Sequence, residues 1–126
     1  EGVRPRSPGM KYRHYAPEAQ VVIVRGEPDH IAGKICMLYD ADVAAGKRTM
    51  ILASQENSAF YGSRQIRVLG ARADLGTMTA ALFAGLRAAD AEGMEQVYAE
   101  AVDTRGIGLA LMNRLGRAAA FHWVDA

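Results

Sequence analysis

The stretch SPGMKYRHYAP, residues 7 to 17, sets Lys11, Tyr12, Arg13, His14 and Tyr15 side by side between prolines. Lys11 and Arg13 are cations that hold phosphate or carboxylate, one as a point charge and the other as a planar fork. Tyr12, His14 and Tyr15 offer flat faces on which a nucleobase stacks, and polar tips that hydrogen-bond. Together these are the means to contact a nucleotide. A solvated linker is the plainer reading of the same residues, but linkers rarely need so much aromatic and cationic chemistry.

Elsewhere the candidates are weaker. His14, His30 and His122 are far apart and lack metal-ligand spacing, so no metal site is expected. Cys36 is the single cysteine, which rules out an internal disulfide, and its place in a helical pattern predicts a buried thiol. There is no GxSxG elbow and no phosphate-binding loop of the GxxxxGK type. Gly106 and Gly108 follow one apolar run and open another, as in a dinucleotide fingerprint, but Leu111 stands where the third glycine belongs. A tight turn into a helix is the better reading. No catalytic constellation is expected in residues 18 to 126. On that last helix, Leu109 and Asn113 lie nearly opposite the stripe of Ile107, Leu111 and Leu115. They form either a contact patch or an ordinary exposed face.

The elements that would position these residues alternate in type. QVVIVRG (20–26), TMILAS (49–54), QIRVLG (65–70) and EQVYAEAV (95–102) read as strands. Residues 27–48 read as a helix that Pro28 opens and Gly46 stops, with Ile31, Ile35 and Leu38 facing inward. Residues 73–94 repeat the pattern through Leu75, Met78, Leu82, Phe83 and Leu86, up to Gly93. ARADL offers no good N-cap there, which leaves that start open. Residues 106–120 form the last predicted helix. SQENSAFYGSR is too short for a crossover helix and has room for one turn. Strand–helix alternation predicts an α/β domain with an open, mainly parallel sheet of about four strands covered by helices. Residues 1–17, broken by Pro5, Pro8, Gly9 and Pro17, read as an extended linker ahead of a domain at 18–126.

Composition narrows the class. The chain has 126 residues, half of them apolar, which suits one ordinary domain with a real core. The formal net charge of +1 speaks against a strongly basic nucleic-acid binder. What positive excess exists sits in residues 1–17, on Arg4, Arg6, Lys11 and Arg13. No apolar run approaches the ~18 residues of a membrane span, and no signal peptide is visible, so a cytoplasmic protein is the default expectation.

SPGMKYRHYAP resembles the interdomain linker of the two-domain L-threonylcarbamoyladenylate synthases. RVLGARADL, GMEQVYAE and GIGLALMNRLGRAA are similar to later segments of that family, so the resemblance covers essentially the whole chain. It implies a Rossmann-like C-terminal domain preceded by its linker, with the N-terminal catalytic domain absent from this chain. That domain would bind ATP, and magnesium with it. It would make threonylcarbamoyl-AMP and pyrophosphate from L-threonine, bicarbonate and ATP, for the threonylcarbamoyladenosine modification of tRNA. This chain alone would be inactive. Its linker, up to ~36 Å long if extended, would lie over the nucleotide through Lys11, Tyr12, Arg13, His14 and Tyr15. Leu109 and Asn113 would meet the catalytic domain, and proteins of the tRNA pathway are further conceivable partners. The alternative is a non-catalytic module that binds RNA or a partner protein.

Overall fold

The structure is a computed structural model that describes residues 18–101 and 123–126. In chain order it contains β1 (Gln20–Arg25), α1 (Pro28–Ala44), β2 (Thr49–Ser54), a 3-10 turn (Ser58–Tyr61), β3 (Ile66–Gly70), α2 (Leu75–Ala91), β4 (Gln96–Glu100) and β5 (Trp123–Asp125).

The strands form one sheet in the order β3-β2-β4-β1-β5, with every pairing parallel. The α/β reading holds, but the described sheet has five strands rather than about four. The extra strand, β5, pairs Ile23 with Trp123 and Val24 with Val124. It is three residues long, too short to show an alternating pattern.

Strand order dictates where the helices lie. The β1-to-β2 connection runs past β4 in one direction, and the β3-to-β4 connection runs past β2 in the other. Right-handed crossovers then place α1 and α2 on opposite faces. The core divides accordingly. On one face Ile31, Ala32 and Ile35 of α1 pack with Val24, Ile51, Ala53, Tyr61 and Tyr98. On the other, Met78, Leu82, Leu86 and Ala89 of α2 pack with Val21, Ile23, Met50, Leu52, Val97 and Ala99. Alternate residues of each central strand serve opposite faces, so β2 and β4 are buried along their whole length.

Two local details bear on the sequence reading. Pro28 opens α1 as expected, and Gly46, at φ +86°, follows its end. The start of α2, by contrast, does have a cap. Asp74 accepts the Thr77 N–H at 3.1 Å and the Thr77 hydroxyl at 2.8 Å. ARADL hides this cap because the helical pattern over 73–94 includes Asp74, whereas the helix starts one residue after it.

Candidate functional site

In open α/β sheets, ligands and functional loops gather outside the carboxyl ends of the strands, where neighbouring connections part to opposite faces. Here the loops after β2 and β3 meet the end of β4 at that edge, and they bring together the densest buried polar chemistry among the described residues.

Glu100 ends β4 with its side chain fully closed off from water. Three donors reach it, two from the β2–β3 connection and one from the loop after β3. The Tyr61 hydroxyl, in the 3-10 turn, donates to Oε2 over 2.6 Å. Asn57 Nδ2 donates to Oε1 over 3.2 Å and to the Pro28 carbonyl over 3.0 Å. Arg72 Nη2 donates to Oε1 over 2.9 Å, and Arg72 Nη1 reaches the Ala101 carbonyl at 3.2 Å. Further bonds tie the loops to one another. Asn57 N–H donates to Ser54 Oγ at 3.2 Å, and Arg72 N–H lies 3.1 and 3.2 Å from the two Glu56 carboxylate oxygens. Gln55 N–H donates to the Gly70 carbonyl at 2.8 Å. Gly70 has a φ of +135°, a conformation that favours glycine, and a Cβ there would meet the Thr77 methyl at 3.3 Å.

A buried carboxylate is tolerable only when its oxygens are occupied. Both oxygens of Glu100 are, which makes it a clasp rather than a free acid or base. Burial first, and then the Glu100 charge and hydrogen bond, push the Tyr61 phenol far above its ordinary range, so it remains a donor. Arg72 keeps about a fifth of its side chain in water, at 22%. Its Nε is buried with no partner among the described residues.

None of the residues that form this cluster is among those singled out from the sequence. Lys11, Tyr12, Arg13, His14 and Tyr15 fall outside the described residues, as do Leu109, Asn113 and the helix expected over 106–120. Cys36 is half-buried rather than buried, and desolvation still raises its thiol pKa. The described residues contain no group of three or more His, Cys, Asp or Glu side chains placed to hold a metal ion. No helix among them is long and apolar enough to cross a membrane. Sequence reasoning missed the Glu100 cluster. Its one visible signal was an acidic residue closing an otherwise buried strand, between Ala99 and Ala101.

Residues 1–120 match the family described as "Threonylcarbamoyl-AMP synthase, C-terminal domain". The chain belongs to that family. It is 38% identical over 116 residues to the threonylcarbamoyl-AMP synthase of Bacillus subtilis, covering 92% of this chain and 32% of the relative. It is 36% identical over 117 residues to that of Pyrococcus abyssi, covering 93% and 33%. The chain thus spans about a third of the length of these curated relatives. Among solved structures, Pyrococcus abyssi Sua5 complexed with L-threonine superposes with a TM-score of 0.79 at 34% identity, covering 100% of this chain and 36% of that one. A variant of that protein, with an adjacent histidine and tyrosine changed to alanine, gives a TM-score of 0.76 at 30% identity, covering 87% and 30%. The C-terminal Sua5 domain from Pyrococcus horikoshii gives 0.69 at 32% identity, covering 88% of this chain and all of that one.

Proposed function

We propose that this chain is the linker and C-terminal domain of a threonylcarbamoyl-AMP synthase, and that it serves a preceding catalytic domain rather than carrying the chemistry itself. The observation that supports this best is the extent of the family match. It begins at residue 1, so it takes in residues 1–17 together with the domain, while the chain spans only about a third of its relatives.

In this reading the catalytic domain binds L-threonine, bicarbonate and ATP, with magnesium if the chemistry uses it. The carbamate of threonine attacks the α-phosphorus of ATP, and pyrophosphate leaves. Such a displacement spreads negative charge over the phosphate oxygens, and positioned cations lower its barrier. Lys11 and Arg13 of the linker supply that charge, and Tyr12, His14 and Tyr15 pack against the nucleotide. Support for His14 and Tyr15 comes from the solved variant of the Pyrococcus abyssi protein in which a neighbouring His–Tyr pair was replaced. His14–Tyr15 is the one such pair in this sequence. Leu109 and Asn113 form the contact with the catalytic domain. The Glu100 clasp holds the loops after β2 and β3 to the end of β4 at the sheet's carboxyl edge, so the domain presents itself as a rigid body.

The test is steady-state synthesis by full-length enzyme carrying Arg13→Ala, Tyr15→Phe or Tyr15→Ala, with melting curves to confirm folding. Arg13→Ala removes a charge-assisted contact worth ~1.5–3 kcal/mol, roughly a 10- to 150-fold loss in the affinity or rate it supports. Tyr15→Ala costs more than Tyr15→Phe, which keeps the ring face. If all three variants match the parent in ATP affinity and turnover, residues 1–17 are only a tether.

A further inference from the structure

β3 closes one side of the sheet, and among the described residues no strand pairs with its outer edge. Gln65 turns its carbonyl inward, where it accepts the Ile51 N–H at 3.0 Å. Backbone groups alternate in direction along a strand, so Ile66 and Val68 turn their N–H and C=O groups away from β2. Beyond Val68 the alternation breaks. The register with β2 shifts between Ala53 and Ser54, and Gln55 N–H donates to the Gly70 carbonyl at 2.8 Å. Ile66 and Val68 therefore carry the open donors and acceptors of this strand.

The side chains of this edge favour pairing, with one exception. IRVLG is apolar and partly β-branched, and Arg67 is its single charge. Ile66 and Val68 share the face of the sheet that bears α1, and Val68 is 47% exposed there. Two copies paired antiparallel about a two-fold axis use both open residues in one register only. Ile66 of each then exchanges hydrogen bonds with Val68 of the other, and Arg67 stands opposite its own copy at the axis. That central pair has Cα atoms ~4.5 Å apart and sets two like charges face to face, which opposes the pairing. The stem of Arg67 lies along α2, with Cδ 3.4 Å from where a Cβ on Gly85 would stand. Among the described residues no carboxylate forms an ion pair with Arg67, so its charge is uncompensated.

We infer that Arg67 guards the open edge of β3, its charge preventing that edge from pairing with a second copy of this chain. The bulge after Val68 assists by ending the run of outward groups, but it leaves two residues that can pair. Arg67 sits between those two, where a single charge meets its copy in the one register that satisfies both.

The experiment is sedimentation equilibrium of the 126-residue chain of 13.6 kDa, with circular dichroism to confirm folding. The parent is expected to be monomeric. Arg67→Val removes the charge, and its mass should rise toward twice the monomer's. Adding Val68→Pro to that variant deletes an outward N–H while sparing the ladder with β2, and should return it to monomer. Arg67→Glu alone should stay monomeric, because two carboxylates then face each other. An equal mixture of parent and Arg67→Glu should associate, since opposite charges now meet, and the association should weaken as salt is raised. A parent that is already dimeric overturns the inference. So does a folded Arg67→Val variant that remains monomeric, or one whose association survives Val68→Pro. The mixture decides the matter even if Arg67→Val fails to fold, because two monomeric proteins that ignore each other when mixed would show that Arg67 never meets its copy.

Discussion

The hydroxyl of Tyr61 donates to Glu100 Oε2 over 2.6 Å, with both side chains closed off from water. The two residues are 39 positions apart. They meet because β2 and β4 are neighbours, so the loop that leaves β2 passes over the end of β4. Tyr61→Phe keeps the ring in the core and removes one of the donors to a buried carboxylate. It should destabilise the domain by ~1.5–3 kcal/mol. Arg72→Met removes the compensating charge and should cost about 3 kcal/mol, the low end for breaking such a pair because Arg72 is partly in water. Chemical denaturation measures both. The double variant should depart from additivity by ~0.5–3 kcal/mol, because both donors share one acceptor. Simple additivity would show that the clasp is not a unit.

At high pH, two tyrosines make stability pH-dependent. Burial and Glu100 raise the Tyr61 phenol above its ordinary 10.0. Burial and a hydrogen bond to Asp42 likewise raise Tyr98. A folded-state pKa above the unfolded value means that this stabilisation is complete below pH 10 and declines as pH rises further. Absorbance at 295 nm should therefore show Tyr61 and Tyr98 ionising only as the protein unfolds. The signals lost in Tyr61→Phe and Tyr98→Phe identify them. Ionisation of either with an ordinary midpoint in folded protein would show that its hydroxyl is open to water.

Much of the architecture was legible because it is local. QVVIVRG declares a strand by its β-branched run and TMILAS by a short apolar one, α1 announces itself through Pro28 and Gly46, and the stripe of Met78, Leu82 and Leu86 is buried as its spacing implies. The single turn expected in SQENSAFYGSR is the 3-10 turn at Ser58–Tyr61. β5 escaped notice because its order comes from pairing with β1 rather than from any pattern in Trp123–Asp125. The Glu100 cluster escaped for a related reason. Asn57, Tyr61 and Arg72 are brought to Glu100 by the strand order β3-β2-β4, which short-range periodicity does not encode.

At low pH the cap of α2 sets the trend. The Thr77 hydroxyl, and then the Thr77 amide, hold the Asp74 carboxyl below its ordinary 3.8. A depressed folded-state pKa gives stability that is present above pH 3.8 and lost as pH falls through the folded value. Asp74→Asn keeps a good N-cap residue and removes the titration. Its melting temperature should lie near the parent's at pH 7 and fall less steeply on acidification. Asp74→Ala removes the cap and should lose stability already at pH 7. Identical acid profiles for parent and Asp74→Asn would show that other carboxylates carry the trend.

Two helical glycines should respond in opposite ways to the same methyl group. Gly33 lies exposed in the middle of α1, and nothing lies within 4 Å of where its Cβ would be. Gly33→Ala reduces the freedom of the unfolded chain, meets no obstacle and should stabilise by ~0.4–1 kcal/mol. Gly85 lies in α2 where the helix crosses the sheet. A Cβ there would stand 2.9 Å from Leu52 Cδ2 and 3.4 Å from Arg67 Cδ. Leu52 is fully buried in β2, so its methyl can retreat only by disturbing close-packed neighbours, at a cost of ~1–3 kcal/mol. That cost outweighs the gain in helix propensity of up to ~1 kcal/mol. Gly85→Ala should therefore be neutral to destabilising, and the double variant Gly85→Ala with Leu52→Val should recover part of the loss by opening space. Urea denaturation of the four proteins reads both effects. If Gly85→Ala stabilises as much as Gly33→Ala, α2 does not need the close approach that this glycine permits.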